Sequence, residues 1–245
     1  MPTIFAATTD GLLRKFAFSG PTWSSVRDAT TANSVSATAV NSSFAVRLVG
    51  QASRGGFYDV GRSFFAFDTS GITATVASAT ISFFGFSNNA SNIIGVKATK
   101  PDLSTNLATA DFQAITGFSA GSSMNGNVTD YTAEYSGTWS TSGYNSITLN
   151  AAALGDLQND SVFAICLVDY DYDYLNVDPG TSVVRNTGLY FADSSGTTAD
   201  PKIDYTLATA ASEIAKINAI AIADVDKIDG TAKSSYDKVL GIDLP

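Results

Sequence analysis

Between Ser24 and about Leu207 the chain repeats one pattern, short runs of β-branched and aromatic residues bounded by Gly, Asn, Asp or Ser. Such runs read as strands separated by turns. Residues 35–40 and 43–49 alternate between small or apolar and polar positions, and residues 63–68, 79–86, 92–97, 146–150, 161–169, 188–191 and 202–207 do so less regularly. Roughly nine or ten strands at this spacing, with no long helix between them, predict an all-β fold, an antiparallel jelly-roll-like β-sandwich. A parallel sheet would need crossover helices, and only residues 151–158 and 109–114 have a helical look. Because side chains alternate across a strand, Phe65 and Phe67 share one face opposite Phe64 and Ala66, while Phe84 and Phe86 lie opposite Phe83 and Gly85. The paired rings, Phe65 with Phe67 and Phe84 with Phe86, are therefore the expected core.

After Leu207 the pattern changes: aromatics nearly vanish, Ala and Ile rise, and four of the eight lysines fall in the last 34 residues. This divides the chain into a sandwich domain, 1–208, and a C-terminal segment, 209–245. Within the segment Ile214, Val225 and Tyr236 come into register, followed by Lys216, Lys227 and Lys238, then Ile217, Ile228 and Val239, each step being eleven residues. Eleven residues over three helical turns is a helix whose apolar stripe drifts with a right-handed sense, which would make these six apolar positions a helix–helix seam. Gly230 and Gly241 support the other reading, a short helical turn, a Gly or Asp corner and an extended piece stacked as in a solenoid. Under either reading Ile214, Ile217, Val225, Ile228, Tyr236 and Val239 form a stripe too short to bury itself, so the segment is expected to drive assembly. Closed symmetric products favour a homo-oligomer, with a trimer the preferred expectation.

Composition narrows the chemistry. The 245 residues suffice for a sizeable core, and the only cysteine, Cys166, sits within an apolar run where a buried small hydrophobe is expected. Only 15% of residues are charged, whereas Ser and Thr number 56, so hydroxyls supply much of the polar surface. Histidine is absent, which removes imidazole-based nucleophile activation, zinc sites and proton shuttling. A net charge of −9 without a Lys/Arg cluster argues against nucleic acid as a partner. No apolar run approaches the ~18 residues of a membrane span, and residues 1–10 lack the basic and apolar regions of a secretory signal. Neither a membrane partner nor signal-directed export is expected.

Two constellations carry candidate chemistry. Asp169, Asp171 and Asp173 alternate with Tyr170, Tyr172 and Tyr174, and on a strand the three carboxylates would line one face. A weakly bound calcium ion would relieve their repulsion, although residues 169–180 do not match an EF-hand loop; the alternative is an exposed acidic strand end. Tyr131, Tyr135, Trp139 and Tyr144 crowd a stretch rich in Ser, Thr and Gly, where Trp139 and Tyr144 are candidate stacking platforms for a glycan. Aromatics of this kind equally fill a sandwich core. No pair of acids is singled out for hydrolysis, so the chain is expected not to be an enzyme and to need no cofactor beyond that calcium.

The stretch Arg62-Ser63-Phe64-Phe65-Ala66-Phe67-Asp68-Thr69-Ser70-Gly71-Ile72, followed by Val76-Ala77-Ser78-Ala79-Thr80-Ile81, resembles the DNRLRE-type sandwich domains. Residues 188–205, with Asp200-Pro201-Lys202-Ile203 leading into the last strand, are similar to that family's closing strands. The likeness covers roughly residues 20–207 and implies a jelly-roll-like sandwich of a kind found in surface proteins, carbohydrate-binding modules and phage virion proteins. Residues 214–230 resemble repeats centred on Lys-Ile-Asn-Gly that are appended to phage virion proteins, departing at Ala219, usually Gly, and Asp229, usually Asn. Asp10-Gly11 and Trp23 to Asp28 also look like phage structural proteins. These resemblances imply a virion structural protein of the capsid-decoration or head-fibre type, made in the host cytoplasm, released by lysis, and partnered by other virion proteins such as the major capsid protein. The other reading is a carbohydrate-binding adhesin or tail-fibre module that recognises a host glycan.

Overall fold

A computed structural model of the protein describes residues 1–52, 55–89 and 91–208, together with four residue pairs at 227–228, 231–232, 238–239 and 242–243. The chain divides into two compact units, Met1–Leu207 and Ala208–Pro245. The first is an all-β antiparallel sandwich. Its strands are β1 (Thr3–Phe5), β2 (Gly11–Phe18), β3 (Ser34–Ser36), β4 (Asn41–Gln51), β5 (Phe57–Asp68), β6 (Val76–Asn89), β7 (Ile93–Lys97), β8 (Tyr144–Thr148), β9 (Val162–Asp169), β10 (Ser182–Tyr190) and β11 (Lys202–Leu207). Two short helices interrupt them, α1 (Trp23–Arg27) and α2 (Ala151–Asn159). Each starts where a side chain satisfies a free amide of the first turn, Thr22 accepting from Ser25 N and Asn150 from Ala153 N.

All eleven strands belong to one open sheet that folds onto itself because two long strands each change partners midway. In β5, residues 57–61 pair with β4 while 63–68 pair with β9, and β2 runs along 57–64. In β6, residues 76–84 pair with β11 and β8 before the strand passes to β10 at Gly85. The two branches then face each other. Ile81 and Phe83 of β6, Ile147 of β8 and Ile203 of β11 pack with Phe65 and Phe67 of β5 and Phe163, Ile165 and Leu167 of β9. Rings of Phe65 and Phe83 lie 4.9 Å apart between centroids, and those of Phe65 and Phe191 5.7 Å.

The other face of β5 and β9 is buried as well. Ala164, Cys166 and Val168 point with Val60 and Phe64 into a second cluster, covered by Trp23 and Val26 of α1, by Phe112 and by Tyr174. Double-sided burial explains why residues 162–168 form an unbroken apolar run instead of alternating. It also makes Phe64, Phe65 and Phe67 all fully buried, where one face alone was expected.

β6 corrects a second expectation. Phe83 is fully buried, whereas Phe84 is half-buried and Phe86 exposed. Gly85 shares the inner face with Phe83, and a side chain there would meet Ser140 O at 1.8 Å and Trp139 Nε1 at 2.8 Å. The loop carrying Trp139 closes over this glycine, so the inward set is Ala79, Ile81, Phe83 and Gly85, and Phe84 and Phe86 must face outward.

In the second unit the described residues are extended. Lys227–Ile228 pairs with Thr231–Ala232, and Lys238–Val239 pairs with Ile242–Asp243. The two hairpins are eleven residues apart, so the period is one of strand and corner at these positions. A continuous helix with Ile228 and Val239 on its seam is thereby corrected, and Asp-Gly, which separates the first pair, is a favoured two-residue hairpin sequence. Ile214, Ile217, Val225 and Tyr236 lie outside the described residues.

Replacing Phe65 or Phe67 by Ala is expected to cost ~3–5 kcal/mol each, whereas Phe86→Ala costs under ~1.5 kcal/mol, as read by chemical denaturation. Equal losses at Phe65 and Phe86 would contradict the assignment of faces.

Candidate functional site

The aspartate run at the end of β9 does not continue as a strand. Asp169 is its last strand residue and caps a π-helical turn over Tyr170–Tyr174, accepting from Tyr172 N at 3.0 Å. The stacked rings of Tyr170 and Tyr174, 5.3 Å apart, and Asn176 in the left-handed region at φ 54° shape the turn and its exit. Once the chain coils, residues two apart no longer share a face, and the three carboxylates diverge.

Asp171 meets Arg185 and accepts from Asn92 Nδ2 at 3.2 Å, with the Arg185 guanidinium 4.9 Å from the Tyr172 ring. Asp173 turns inward and is buried. Asp169 is buried too, and its Oδ2 has no partner. Burial pushes the Asp169 carboxyl up to about 7, its bond from Tyr172 N and the nearby Arg185 opposing the rise. The expected one-sided ligand set of Asp169, Asp171 and Asp173 is therefore corrected. Among the described residues no three His, Cys, Asp or Glu are grouped so as to hold a metal ion.

Asp173 instead answers Arg62, a guanidinium with no exposed surface. Arg62 Nε donates to Asp173 Oδ2 at 2.8 Å and Nη2 to Oδ1 at 2.7 Å, a two-pronged pair. Two further N–H groups reach Phe112 O at 2.9 Å and Arg27 O at 3.1 Å. The ring of Phe112 lies 4.3 Å from the Arg62 carbon and that of Phe118 4.9 Å. Burial alone would lower the Arg62 pKa, but the Asp173 carboxylate more than offsets it and the cation is held.

Arg27, equally buried, donates from Nε to Asp173 O at 2.9 Å and from Nη1 to Asp28 Oδ1 at 2.6 Å. Asp28 Oδ2 accepts in turn from Gly121 N. This network ties α1, β5, the short 3-10 turn at Thr109–Gln113, the loop near Phe118 and the π turn into one unit. Its role is architectural. The signal in the sequence was an arginine on the apolar side of a strand, with Val60 and Phe64 at alternate positions, although its partner 111 residues away carries no local mark.

The glycan candidates separate. Trp139 is only 5% exposed and donates its indole N–H to Gly188 O at 3.1 Å, so it plugs the sandwich and cannot serve as an open platform. Tyr144 is half-buried on the outer face, its hydroxyl donating toward Thr198 O and Asp200 O, with Lys202 Nζ 4.9 Å from the ring. It belongs to a row of edge-to-face rings, Tyr144 with Phe84, Phe84 with Tyr190, and Tyr190 with Phe86. Tyr131, also in that stretch, is buried, stacks on Phe163 at 4.7 Å and meets Asp156 through its hydroxyl. Cys166 is wholly buried and its thiol is pushed well up by burial, which leaves no reactive thiolate.

On another outer face Asp59 is buried between Arg14 and Arg47. Both guanidiniums also lie over the ring of Phe44, at 5.2 and 4.4 Å.

No protein-family model and no curated protein sequence matches the chain.

Asp173→Asn leaves Arg62 buried without its counter-ion and is expected to cost ~3–5 kcal/mol, whereas the apolar pair Arg62→Met with Asp173→Leu should recover much of that loss. Urea unfolding of the single and double variants measures both. At Asp169 the folded state holds its proton more tightly than an unfolded aspartate with the ordinary value of 3.8, so this group's penalty grows as pH rises from that value through about 7. Asp169→Asn should accordingly raise the melting temperature above neutral pH relative to the parent chain and lose that advantage near pH ~4. A constant difference across the scan would contradict the burial of an ionisable carboxyl.

Proposed function

We propose that the protein is a non-enzymatic structural component of a phage particle, a capsid-decoration or head-fibre appendage whose C-terminal segment drives assembly. The observation that carries this reading is the pair of two-residue hairpins, one at Lys227–Ile228 with Thr231–Ala232 and one eleven residues later at Lys238–Val239 with Ile242–Asp243. A hairpin this small has no stability of its own, and a series of them gains a core only by stacking on further copies. The likeness of residues 214–230 to repeats of virion proteins points the same way. So does the resemblance of residues 62–81 and 188–205 to a sandwich used on surfaces.

The sandwich supports the reading through the fate of its polar chemistry. Arg62 with Asp173, Arg14 and Arg47 with Asp59, and Lys97 with Asp156 are structural pairs that hold strands and loops together. The proposed partners are further copies of this chain, with a trimer favoured, and other virion proteins such as the major capsid protein. The proposed location is the virion, reached from the host cytoplasm by assembly and lysis.

A carbohydrate-binding role remains as a second reading, kept at Tyr144 without Trp139. The row of Tyr144, Phe84, Tyr190 and Phe86 offers aromatic area on an outer sheet face, with Lys202 beside it. Glycan-array binding that disappears in Tyr144→Ala and Phe86→Ala would favour it.

Both apolar clusters lie wholly within residues 1–207, so a chain ending at Leu207 should fold. It is expected to sediment as a monomer and to lose occupancy on purified particles, while the full chain self-associates. Retention of the native oligomer size and of particle occupancy by the shortened chain would overturn the proposal.

A further inference from the structure

Leu12 on β2, Ala45 on β4 and Phe65 on β5 enter the first apolar cluster, and the face they stand on continues along the same three strands. Side chains two apart share a side of a strand, and the register sets those of neighbouring strands in rows. Arg14, Gly61 and Arg47 form one row, Phe16, Asp59 and Val49 the next, and Phe18, Phe57 and Gln51 the last. β10 adds Asn186 beside Arg47 and Val184 beside Val49. Phe16, Phe18 and Phe57 do not belong to the cluster, so the face runs on past the end of the core.

This continuation is aromatic, cationic and exposed. Phe18 is 41% exposed, Phe44 38% and Val184 37%. Phe18 stacks on Phe57 with centroids 4.5 Å apart, and Phe16 meets Phe18 edge-on at 5.9 Å. Gly61 lets the arginines gather above it, since a side chain there would meet Arg47 Cβ at 2.9 Å. Both guanidiniums lie over the Phe44 ring and close on the one carboxylate of the rows, Asp59. Two cations thus answer one anion, which leaves this face a surplus positive charge on a chain whose net charge is −9.

We propose that the face built by Arg14, Phe16, Phe18, Phe44, Arg47 and Phe57 docks onto a surface of another protein of the particle that presents carboxylates among apolar side chains. The proposal rests on the reading of the chain as a particle component and names the face by which it attaches. Aromatic rings and arginine are the residues enriched at protein–protein contacts, and they combine area with charge. The arginines are also set in place beforehand. Asp59 holds both, and Arg47 Nη1 donates to Asn186 as well, so little side-chain freedom is lost when a carboxylate arrives.

Charge decides between occupants. A two-fold contact between copies puts the same patch on both sides, and here that sets Arg14 and Arg47 against their own kind. A nucleic-acid backbone needs several concentrated cations, and this face has a surplus of one. An acidic and partly apolar protein surface satisfies both halves of the patch, its carboxylates meeting the guanidiniums and its apolar side chains covering the stacked rings of Phe18 and Phe57.

The test loads the full chain onto purified particles that lack it and measures occupancy beside sedimentation of the unbound chain. The double variant Phe18→Ser with Phe44→Ser removes exposed rings only, and Arg14→Gln removes the surplus charge while Asp59 keeps its pair with Arg47. Each, checked for a native circular-dichroism spectrum, should bind particles about tenfold more weakly or worse with an unchanged sedimentation coefficient. Phe86→Ser, on the other outer face, should bind as the parent does, and added salt should weaken binding of the parent more than that of Arg14→Gln. Parent-like occupancy of the double variant overturns the proposal and leaves the particle reading standing, whereas a parent chain that never loads overturns both. A double variant that sediments as a smaller species assigns the face to contacts between copies and overturns the proposal too, as does an equal loss in Phe86→Ser.

Discussion

A guanidinium with no contact to water stands at the centre of the second apolar cluster, and its desolvation makes the surrounding structure conditional. Arg62 needs a carboxylate in two-pronged geometry, two backbone carbonyls and a ring face before its burial is tolerated. Those groups come from the π turn, the 3-10 turn and the end of α1, all remote in sequence from Arg62 on β5. None of these short elements has a core of its own, and α1 is only five residues long. The pair thus specifies their arrangement more than it adds net stability, in keeping with the modest net worth of buried ion pairs.

The same demand shapes the sheet. A layer of loops and short turns over β5 and β9 buries their second face, so two of the longest apolar stretches are covered on both sides. Antiparallel sheets more often leave one face wet. Here one wet face is the outer side of β6 and β10, where Phe84, Phe86 and Tyr190 sit among hydroxyls, and another is the β2–β4–β5 flank with its arginines over Phe44. Among the described residues, acid without an ion-pair partner lies at Asp10, Asp193 and Asp200, near where β1 and β11, the strands of both ends of the domain, come together.

Much of this was legible beforehand. Period-two runs and Gly/Asn/Asp corners mark the strands because alternation and turn chemistry are local properties, and the change of composition after Leu207 marks the boundary for the same reason. The eleven-residue register is local too, and its hairpin pairing at Ile228 and Val239 could be weighed only against a helix of equal period. What alternation cannot say is which of two faces is inside. Phe83 was displaced from the expected core by its outward neighbours Phe84 and Phe86 because the deciding fact is the approach of Ser140 and Trp139 to Gly85, more than 50 residues away.

The sequence by itself determined the all-β class, most of the strands after Asn41 although neither β1 nor β2, the buried state of Cys166 and the absence of histidine chemistry, since each follows from residue type and near-neighbour spacing. Tertiary structure alone decided that Asp173 serves Arg62, that Asp169 is buried with its pKa near neutrality, that Trp139 is a core plug, and that Asp10, Asp193 and Asp200 each keep one buried oxygen without a partner. The physical reason is that charge partnership and burial depend on distances in space, and a strand sandwich sets those distances by pairing segments far apart in the chain, as β1 does with β11.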